Sequence, residues 1–343
     1  MIKVLLLADT HLGFDLPSKP RVEKRRRGPD FFANTRLALE PALHGQVDLV
    51  VHGGDLLYRS QVPAGLVLQA LEPLLEVADN GVPVVLVPGN HERSALPYPL
   101  LASHRNLHVL DRPRTVVLEI DGTRLAIGGF PCERDDIRDR FFPLVKESGV
   151  LIADAGIRLL CIHQTVEGAR VKGYTFRSGA DIIRGRDIPP GLAAVLCGHI
   201  HRSQVLSQDL GGNHLASPVL YPGSIERTSH AEREESKGYL ILAFKADPDR
   251  GGTLEQWEFR ELPARPMFFL TIDVTDLGPE ALENNIREEL GRHPVDAVVQ
   301  LRIEGELRPD SGEAIRAANL RRLHPETMTV ALRFRPSGGD RLS

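Results

Sequence analysis

The sequence contains little cysteine, few aromatic residues and no long apolar run. Its 343 residues include 3 Cys and 1 Trp, and aromatic residues make up 5% of the chain. Three cysteines without paired spacing do not form a disulfide framework, which favours a reducing compartment. No stretch reaches the about 18 apolar residues of a membrane span, and the apolar run before Asp9 is too short for a signal peptide. We therefore expect a cytoplasmic protein.

The chain also lacks a strong overall charge. Its formal net charge is −4 at pH 7, so the whole chain is not the polycation that non-specific nucleic-acid binding requires. With 42% hydrophobic and 26% charged residues, the composition excludes a disordered or collagen-like class. One local exception to the weak charge is a basic cluster, which consists of Arg21, Lys24, Arg25, Arg26 and Arg27 beside Glu23.

Short apolar runs alternate with helical patterns along the first half of the chain. Runs that are apolar on both faces are typical of central strands that are covered on both sides. The alternation of the two patterns predicts an α/β fold. The predicted strands are Lys3–Ala8, Val47–His52, Val84–Val87, Leu159–His163 and Ala194–Cys197, and the predicted helices are Asp30–Leu43 and Ala64–Asn80.

Antiparallel strands are expected in the later part of the chain. The segment Thr115–Gly128 contains two short strands around Asp121 and Gly122, a pair that is typical of a type I′ hairpin. A second hairpin-rich stretch covers Pro218–Phe244 and Leu254–Phe259. These hairpins favour two packed sheets over a single one.

A linker with two prolines divides the sequence at 261–266, because proline interrupts any regular element. We expect a large first domain at 1–262, a small α/β domain at 266–336 and a frayed tail at 337–343. The predicted elements of the second domain are a strand Met267–Asp273, a helix Pro279–Leu290, a strand Ala297–Ile303, a helix Ser311–Leu320 and a strand Thr327–Arg335.

Five polar clusters lie at or just past the ends of predicted strands, where α/β folds place their ligands. Together they offer carboxylate, amide and imidazole groups, which suit a pair of divalent metal ions such as manganese, iron or zinc. Any one of these clusters can be an ordinary turn or a structural histidine, but five in one chain favour a metal site. The clusters are Asp9-Thr10-His11, Gly53-Gly54-Asp55, Gly89-Asn90-His91-Glu92, His163 and Gly198-His199-Ile200-His201.

Two cysteines invite comparison with these clusters. Cys161 and Cys197 each precede a candidate ligand by two residues and therefore share its strand face. We interpret both as small buried residues beside a ligand set that is already complete, because free cysteine is among the most buried residue types.

The order of the five clusters resembles that of the calcineurin-like metallophosphoesterases, from Ile2 to about Arg202. Tyr221–Thr228, the segment 232–238 and the opening Arg265-Pro266-Met267 resemble the SbcD branch, the nuclease subunits of a bacterial double-strand-break repair complex. The resemblance implies a four-layer α-β-β-α sandwich of two packed sheets at 1–262. It also implies that the domain at 266–336 is a capping domain over the active site.

The resemblance further implies a dinuclear hydrolase of phosphodiester bonds. Asp9, His11, Asp55 and His201 would hold one metal ion, and Asp55, Asn90, His163 and His199 the other. His91 would be the general acid for the leaving oxygen, and a hydroxide that bridges the metals would be the nucleophile. Mn²⁺ is the expected metal, with Fe²⁺ or Zn²⁺ as alternatives. The expected activity is that of an SbcD-like 3′–5′ DNA exonuclease in DNA repair, with endonuclease activity left open.

The sequence departs from the family pattern at two points. Asp55 is not followed by the Asp-Arg-Gly of protein phosphatases, and Tyr58 occupies the place where many SbcD-type nucleases have a histidine that supports the catalytic one. After the last predicted strand we expect no room for the helix-loop-helix that docks on the SbcC ATPase. An SbcC-type partner and a homodimer therefore stay open.

DNA is the expected partner, because the basic cluster at 21–27 follows the first metal-binding motif and phosphodiester backbones require Lys and Arg. Arg25, Arg26 and Arg27 are its candidate DNA contacts. The alternative is a phosphodiesterase for small substrates such as cyclic nucleotides, which would use the same metal site. A non-catalytic scaffold on the same fold is disfavoured, because every ligand position of the family pattern is present.

Overall fold

The computed structural model describes residues 1–16, 27–92 and 104–334. These residues divide into two compact units, each with its own apolar core. Of the described residues, the first unit takes those within Met1–Phe14, Gly28–Glu226 and Glu235–Pro263, and the second takes those within Asp15–Arg27, Arg227–Glu234 and 264–334.

Strands make up most of the regular structure. Alternate side chains of a strand point to opposite faces, so each strand of a central sheet can serve two cores. In chain order the strands are β1 (Ile2–Leu7), β2 (Leu49–His52), β3 (Val84–Leu86), β4 (Leu107–Val109), β5 (Arg114–Ile120), β6 (Thr123–Gly129), β7 (Ile157–His163), β8 (Thr165–Val166), β9 (Arg170–Val171), β10 (Tyr174–Thr175), β11 (Ile182–Ile183), β12 (Ala194–Gly198), β13 (Gln204–Gln208), β14 (His214–Tyr221), β15 (Gly238–Lys245), β16 (Thr253–Glu261), β17 (Met267–Asp273), β18 (Val298–Glu304) and β19 (Thr329–Phe334).

The α-helices of the described residues are α1 (Gly28–Leu43), α2 (Ala64–Asp79), α3 (Ile137–Ser148), α4 (Pro279–Gly291) and α5 (Ala317–Leu320). In α4 the buried residues Leu282, Ile286 and Leu290 recur every four positions, and Pro279 is in its first turn, where its missing N–H is no loss. Within the described ranges, no helix is both long and apolar enough to cross a membrane.

The first sheet has the strand order β16-β15-β1-β2-β3-β4. Strands β1 to β4 are parallel, whereas β15 and β16 are antiparallel to their neighbours. Leu5 and Leu7 of β1 belong to the core that contains α1 and α2, and Val4 and Leu6 belong to the core on the opposite face. The sheet is therefore covered on both sides, as the apolar runs predict.

The second sheet has the strand order β13-β14-β12-β7-β6-β5. Its four central strands are parallel, and an antiparallel strand lies at each edge. Strands β5 and β6 form the predicted hairpin, in which Ile120 pairs with Thr123. Asp121 and Gly122 have φ angles of 48° and 72°, so the prediction of a type I′ turn is confirmed.

Three apolar cores order the layers of the first unit. One core joins α1 and α2 to the first sheet, for example through Phe31 and Leu71. A second lies between the sheets, where Val51 of β2 and Leu159 of β7 are both buried. The third joins Phe141 of α3 to the far face of the second sheet. This order of helices, sheet, sheet and helix confirms the four-layer α-β-β-α sandwich.

The second unit contains a parallel sheet with the order β17-β18-β19. Helix α4 connects β17 to β18, and its apolar face packs in one core with Ile272, Leu301 and Val330. This arrangement is the α/β structure predicted for the end of the chain.

The predicted helix Ser311–Leu320 is wrong. Residues Pro309–Ser311 form a 3₁₀ turn, and the extended backbone of Arg316 (φ −64°, ψ 144°) leaves only the short α5. The Ser311 hydroxyl donates to the Leu277 carbonyl at 2.8 Å, and the Asn319 amide donates to the Ala314 carbonyl at 3.2 Å. Side-chain hydrogen bonds therefore replace a regular helix here.

Two segments from before residue 262 belong to the second unit. The guanidinium of Arg227 donates to the Arg265 carbonyl at 3.2 Å, and the rings of His230 and Phe269 lie 5.1 Å apart. Arg265 is itself buried and donates to the carbonyls of Asp296 (3.1 Å) and Thr327 (3.0 Å). The segment predicted as a linker thus ends in a residue that stabilises the second unit.

Candidate metal centre

All seven candidate ligands lie at the carboxyl ends of parallel strands in the first unit. The Asp9 N–H donates to the Gly54 carbonyl at 2.9 Å, which joins the segments after β1 and β2. The His199 N–H donates to both carboxylate oxygens of Asp9, at 3.2 and 3.0 Å, which joins the first sheet to the second. Asp9 and His11 follow β1, Asp55 follows β2, Asn90 follows β3, His163 ends β7, and His199 and His201 follow β12.

One group of donor atoms consists of Asp9, His11 and His201, whose ligand atoms lie within 4.8 Å of one another. The Nε2 atoms of His11 and His201 are 2.9 Å apart, and His201 Nε2 is 3.9 Å from Asp9 Oδ1. Two ring nitrogens that converge beside a buried carboxylate are a suitable donor set for a divalent cation.

A second group of donor atoms surrounds His163. Its Nε2 atom lies 3.4 Å from Asp55 Oδ2 and 3.1 Å from Asn90 Oδ1. His199 Nδ1 lies 3.2 Å from the same Asn90 oxygen. Asp55 belongs to two of the donor groups, one with Asp9 and His163 and one with His11 and His91. Asp55 is therefore placed where one carboxylate can reach two cations.

The hydrogen bonds of His163 orient its ring. This residue is fully buried, and its Nδ1 lies 2.8 Å from the Gly53 carbonyl. Because a carbonyl only accepts hydrogen bonds, Nδ1 keeps its proton and donates, so Nε2, which faces Asp55 and Asn90, is the nitrogen that would bind a cation after losing its own proton. The resulting tautomer is the one that a metal ligand needs.

At four of the candidate ligands the backbone adopts a left-handed conformation that residues other than glycine rarely adopt. The φ angles of Asp9, His11, Asp55 and His199 are 51°, 43°, 54° and 86°. Such left-handed residues cost of the order of 1–3 kcal/mol each and are concentrated at functional sites. The strain at four ligand positions is an independent indication of function that the sequence pattern does not reveal.

Burial and charge perturb the titration of the site. Burial would lower the pKa of His163, but the carboxylates of Asp55 and Asp9 outweigh it and raise that pKa to about 10. Burial raises the pKa of Asp9 to about 6, and burial together with His201 lowers the pKa of His11 to about 3. Two buried carboxylates beside a neutral His11 favour added positive charge, so the donor set fits divalent cations.

His91 lies beside the donor atoms. Its N–H donates to Asp55 Oδ1 at 3.1 Å, its Nδ1 is 3.8 Å from Asp55 Oδ2, and its ring is 5.2 Å from that of His11. Within the described residues, His91 Nδ1 has no hydrogen-bond partner, and the Tyr58 hydroxyl makes no hydrogen bond to it. The Tyr58 ring instead lies under the guanidinium of Arg59, 4.7 Å away.

Glu92 connects two of the ligand segments, and the sequence analysis gave it no role. It is fully buried; one carboxylate oxygen accepts the N–H groups of Asp55 (2.9 Å) and Gly89 (2.8 Å), and the other accepts the Leu57 N–H (2.8 Å). Burial and the nearby Asp55 raise the pKa of Glu92 to about 8. The signal in the sequence that could have indicated this role is the position of Glu92 directly after Asn90-His91.

His52 is a second supporting residue that the sequence did not reveal. It is fully buried, its Nδ1 accepts the Gly54 N–H at 3.2 Å, and its Nε2 donates to the Thr10 hydroxyl at 3.1 Å. That hydroxyl donates onward to the Leu56 carbonyl at 3.0 Å. These bonds fix the turns on which Asp9 and Asp55 lie. Burial lowers the pKa of His52 to about 3, which matches a neutral ring with one donor and one acceptor.

Of the three candidate DNA contacts, Arg27 alone lies within the described residues. Arg25 and Arg26 lie outside the described residues. Arg27 is only 6% exposed; its N–H donates to Asp15 Oδ2 at 3.0 Å, and its guanidinium donates to the Arg227 carbonyl. The Arg27 guanidinium is thus occupied within the second unit, and its contact with DNA stays a prediction.

The cysteines beside the ligands are free and buried. Burial raises the pKa of the Cys161 thiol well above its usual range, so the residue stays a thiol. Neither Cys161 nor Cys197 belongs to a group of converging donor atoms within the described part of the chain. The interpretation of both as small buried residues agrees with this geometry.

Comparisons with known proteins give a consistent result. The model of the family described as calcineurin-like phosphoesterase matches residues 2–203. The DNA double-strand break repair protein Mre11 of Archaeoglobus fulgidus is 26% identical over 320 residues, which cover 88% of this chain and 68% of that protein. The Mre11 proteins of Haloferax volcanii and Saccharolobus solfataricus are 29% and 23% identical over 89% and 85% of this chain. The chain spans 62% and 71% of the length of these two proteins.

Proposed function

Because the chain belongs to the calcineurin-like phosphoesterase family, we propose that it is a metal-dependent DNA repair nuclease that hydrolyses phosphodiester bonds. The observation that carries the proposal is the convergence of seven residues with oxygen and nitrogen donors, Asp55 among them, with His91 beside them. Relatives named as DNA double-strand break repair proteins match most of the chain, which supports DNA as the substrate.

Two divalent metal ions are implied by the family, and we assign this chain's donors to them. When bound, such a metal pair neutralises phosphoryl oxygens and promotes the deprotonation of an attacking water. Mn²⁺ suits the mixture of carboxylate, amide and imidazole donors. The first ion takes Asp9, His11, Asp55 and His201, and the second takes Asp55, Asn90, His163 and His199.

His91 acts as the proton donor to the leaving oxygen. Its side chain is 33% exposed, so substrate can reach the ring, while its backbone N–H is fixed on Asp55. The ring is adjacent to the donor atoms and is not needed to complete either ligand set. General-acid assistance of this kind contributes about 10²–10⁴ in rate.

The direction of cleavage follows from the SbcD-like assignment. The chain removes nucleotides from a 3′ end, so the departing group is the 3′-oxygen of the DNA and the product is a 5′-mononucleotide. An SbcC-type ATPase partner, a homodimer and a capping role of the second unit belong to the same proposal. The competing function is hydrolysis of small phosphodiesters such as cyclic nucleotides at the same site.

The test compares products from DNA and from cyclic nucleotides. Chain reconstituted with Mn²⁺ is incubated with 3′- and 5′-end-labelled DNA and, separately, with cyclic AMP. We expect stepwise shortening of the DNA from its 3′ end, a loss of about 10²–10⁴ in rate for His91→Ala, and no loss for His214→Ala. His214 is a matched control because it is an exposed histidine on β14. Hydrolysis of cyclic AMP with intact DNA would overturn the nuclease assignment in favour of the competing function.

A further inference from the structure

An arginine outside the family motifs is fixed at the metal centre by three loop contacts. The segment after β6 is joined to the segment after β3 by the Cys132 N–H, which donates to the Pro88 carbonyl at 2.9 Å. It is joined to the residue after β7 by the Gln164 amide, which donates to the Glu133 carbonyl at 3.0 Å. Arg134 then donates from Nη2 to the Asn90 carbonyl at 2.7 Å.

The contact with Asn90 brings a positive charge to the donor atoms. The side-chain oxygen of Asn90 lies 3.1 Å from His163 Nε2 and 3.2 Å from His199 Nδ1. The guanidinium of Arg134 is therefore anchored to the main chain of Asn90, a proposed metal ligand, and the residue that follows Asn90 is His91. An anion drawn to a cation at the Asn90 side chain would therefore approach the residue whose main-chain carbonyl holds this guanidinium.

The guanidinium of Arg134 keeps most of its donors. It has five N–H groups, and within the described residues its hydrogen-bond partner is the Asn90 carbonyl. The adjacent Glu133 does not neutralise it, because the Glu133 carboxylate pairs with Arg140. Arg134 is also exposed to solvent. It can thus accept a ligand without first breaking an ion pair.

We propose that Arg134 is a phosphate-binding residue that holds a non-bridging oxygen of the phosphodiester at the metal centre. The planar fork of a guanidinium matches two oxygens of a phosphate and forms charged hydrogen bonds to them. The inference rests on the proposed function in that it needs a phosphate ester as substrate. It does not depend on whether that ester is DNA or a small diester.

A purely structural role would be to hold the Asn90 segment in place, but other bonds already do this. Glu92 accepts the Gly89 N–H at 2.8 Å, and Asp55 accepts the His91 N–H at 3.1 Å. An exposed arginine adds little to one buried and one partly buried hydrogen bond on either side of Asn90. Removal of Arg134 should therefore leave the metal ligands in place.

The experiment measures phosphate binding separately from turnover. Inorganic phosphate is titrated calorimetrically into Mn²⁺-loaded wild type, Arg134→Gln and Arg124→Gln, with metal content determined for each protein. Arg124 is the control, since it lies near the start of β6, at the opposite end of the strand from Arg134, and forms a surface ion pair with Asp154. Loss of one charged contact raises the Kd for phosphate about 10–100-fold in Arg134→Gln and leaves Arg124→Gln unchanged.

Turnover of bis(p-nitrophenyl) phosphate gives a second readout. In Arg134→Gln the KM rises with the phosphate Kd, at unchanged metal content, and Arg134→Lys recovers part of the loss because it keeps the charge without the fork. An unchanged phosphate Kd in Arg134→Gln would overturn the inference, and so would a loss of bound Mn²⁺ that accounts for the whole effect. A chain that binds phosphate through Arg134 but does not cut DNA would refute the nuclease assignment alone.

Discussion

Glu92 offers the most direct test of how the fold holds the metal centre. Its carboxylate accepts three buried backbone N–H groups, those of Asp55, Leu57 and Gly89, at 2.8–2.9 Å. Glu92→Ala leaves all three without this acceptor, and each unsatisfied buried N–H costs about 1–3 kcal/mol. The sum, about 3–9 kcal/mol, is comparable with the roughly 5–15 kcal/mol that stabilises a typical protein. We expect little folded Glu92→Ala protein.

Glu92→Gln is the more informative variant, because it keeps the shape of the side chain. Its amide oxygen can still accept hydrogen bonds from the N–H groups of Asp55 and Gly89. Its NH₂ group faces the Leu57 N–H, and because both groups are donors, no hydrogen bond forms there. One bond of three is lost, so we expect a decrease of about 1–3 kcal/mol in the free energy of unfolding. Because Leu57 lies two residues after the shared ligand Asp55, the loss of its bond loosens the turn that orients Asp55, and the Kd for Mn²⁺ should rise about 10–100-fold.

The assays are guanidinium chloride unfolding, followed by circular dichroism, and calorimetric titration with Mn²⁺. Glu72→Gln is the matched control, since Glu72 is an exposed carboxylate paired with Arg36 at 2.9 Å and should contribute no more than about 1 kcal/mol. The reasoning is refuted if Glu92→Gln unfolds and binds Mn²⁺ as Glu72→Gln does. It is also refuted if Glu92→Ala folds with wild-type stability.

Three further outcomes are expected. Exhaustive chelation should abolish phosphodiesterase activity, and Mn²⁺ should restore it better than Fe²⁺ or Zn²⁺. Full activity in protein that elemental analysis shows to be metal-free would contradict the metal centre. His91→Ala should retain both metal ions whereas His199→Ala should bind fewer, and elemental analysis showing the reverse would exchange their roles. Lys237 is buried and donates to the His201 carbonyl at 2.8 Å and to Glu235 at 3.1 Å. Lys237→Met should therefore lower the free energy of unfolding by about 3 kcal/mol, while the same change at the exposed Lys245 should alter it little. Equal free energies of unfolding in the two variants would show that the buried lysine is dispensable.

Much of the fold is predictable because the relevant signals are local in sequence. The hairpin turn at Asp121 and Gly122 follows from two residues that tolerate positive φ, and the structure has that turn. Strand β17, at Met267–Asp273, has the predicted limits. The helix predicted at Ser311–Leu320 fails because bonds to Leu277 and within the segment compete with the helical ones, and the first of these is not local.

The candidate ligands were predictable for a related reason, whereas the residues that hold the ligand segments in place were not. Carboxylates, an amide and histidines after apolar strands meet at one edge of each sheet, so position along the chain is enough to group them. Glu92, His52 and Lys237 act through backbone groups of distant segments, and no spacing pattern specifies such partners. The burial of Arg27 was not predictable either, because burial of a single arginine depends on packing that its neighbours in sequence do not determine.

The strained ligand backbones and the hydrogen bonds between ligand segments belong to one cooperative arrangement. Four left-handed residues at about 1–3 kcal/mol each would be hard to sustain in isolated turns. Each strained segment is instead bonded to another: His11 N–H donates to the Asp55 carbonyl at 3.0 Å, and His199 N–H donates to the Asp9 carboxylate. The ligands therefore hold one another's backbones before any cation binds. Because both sheets contribute strand ends to these bonds, the packing of the sandwich and the geometry of the metal centre are stabilised by the same contacts.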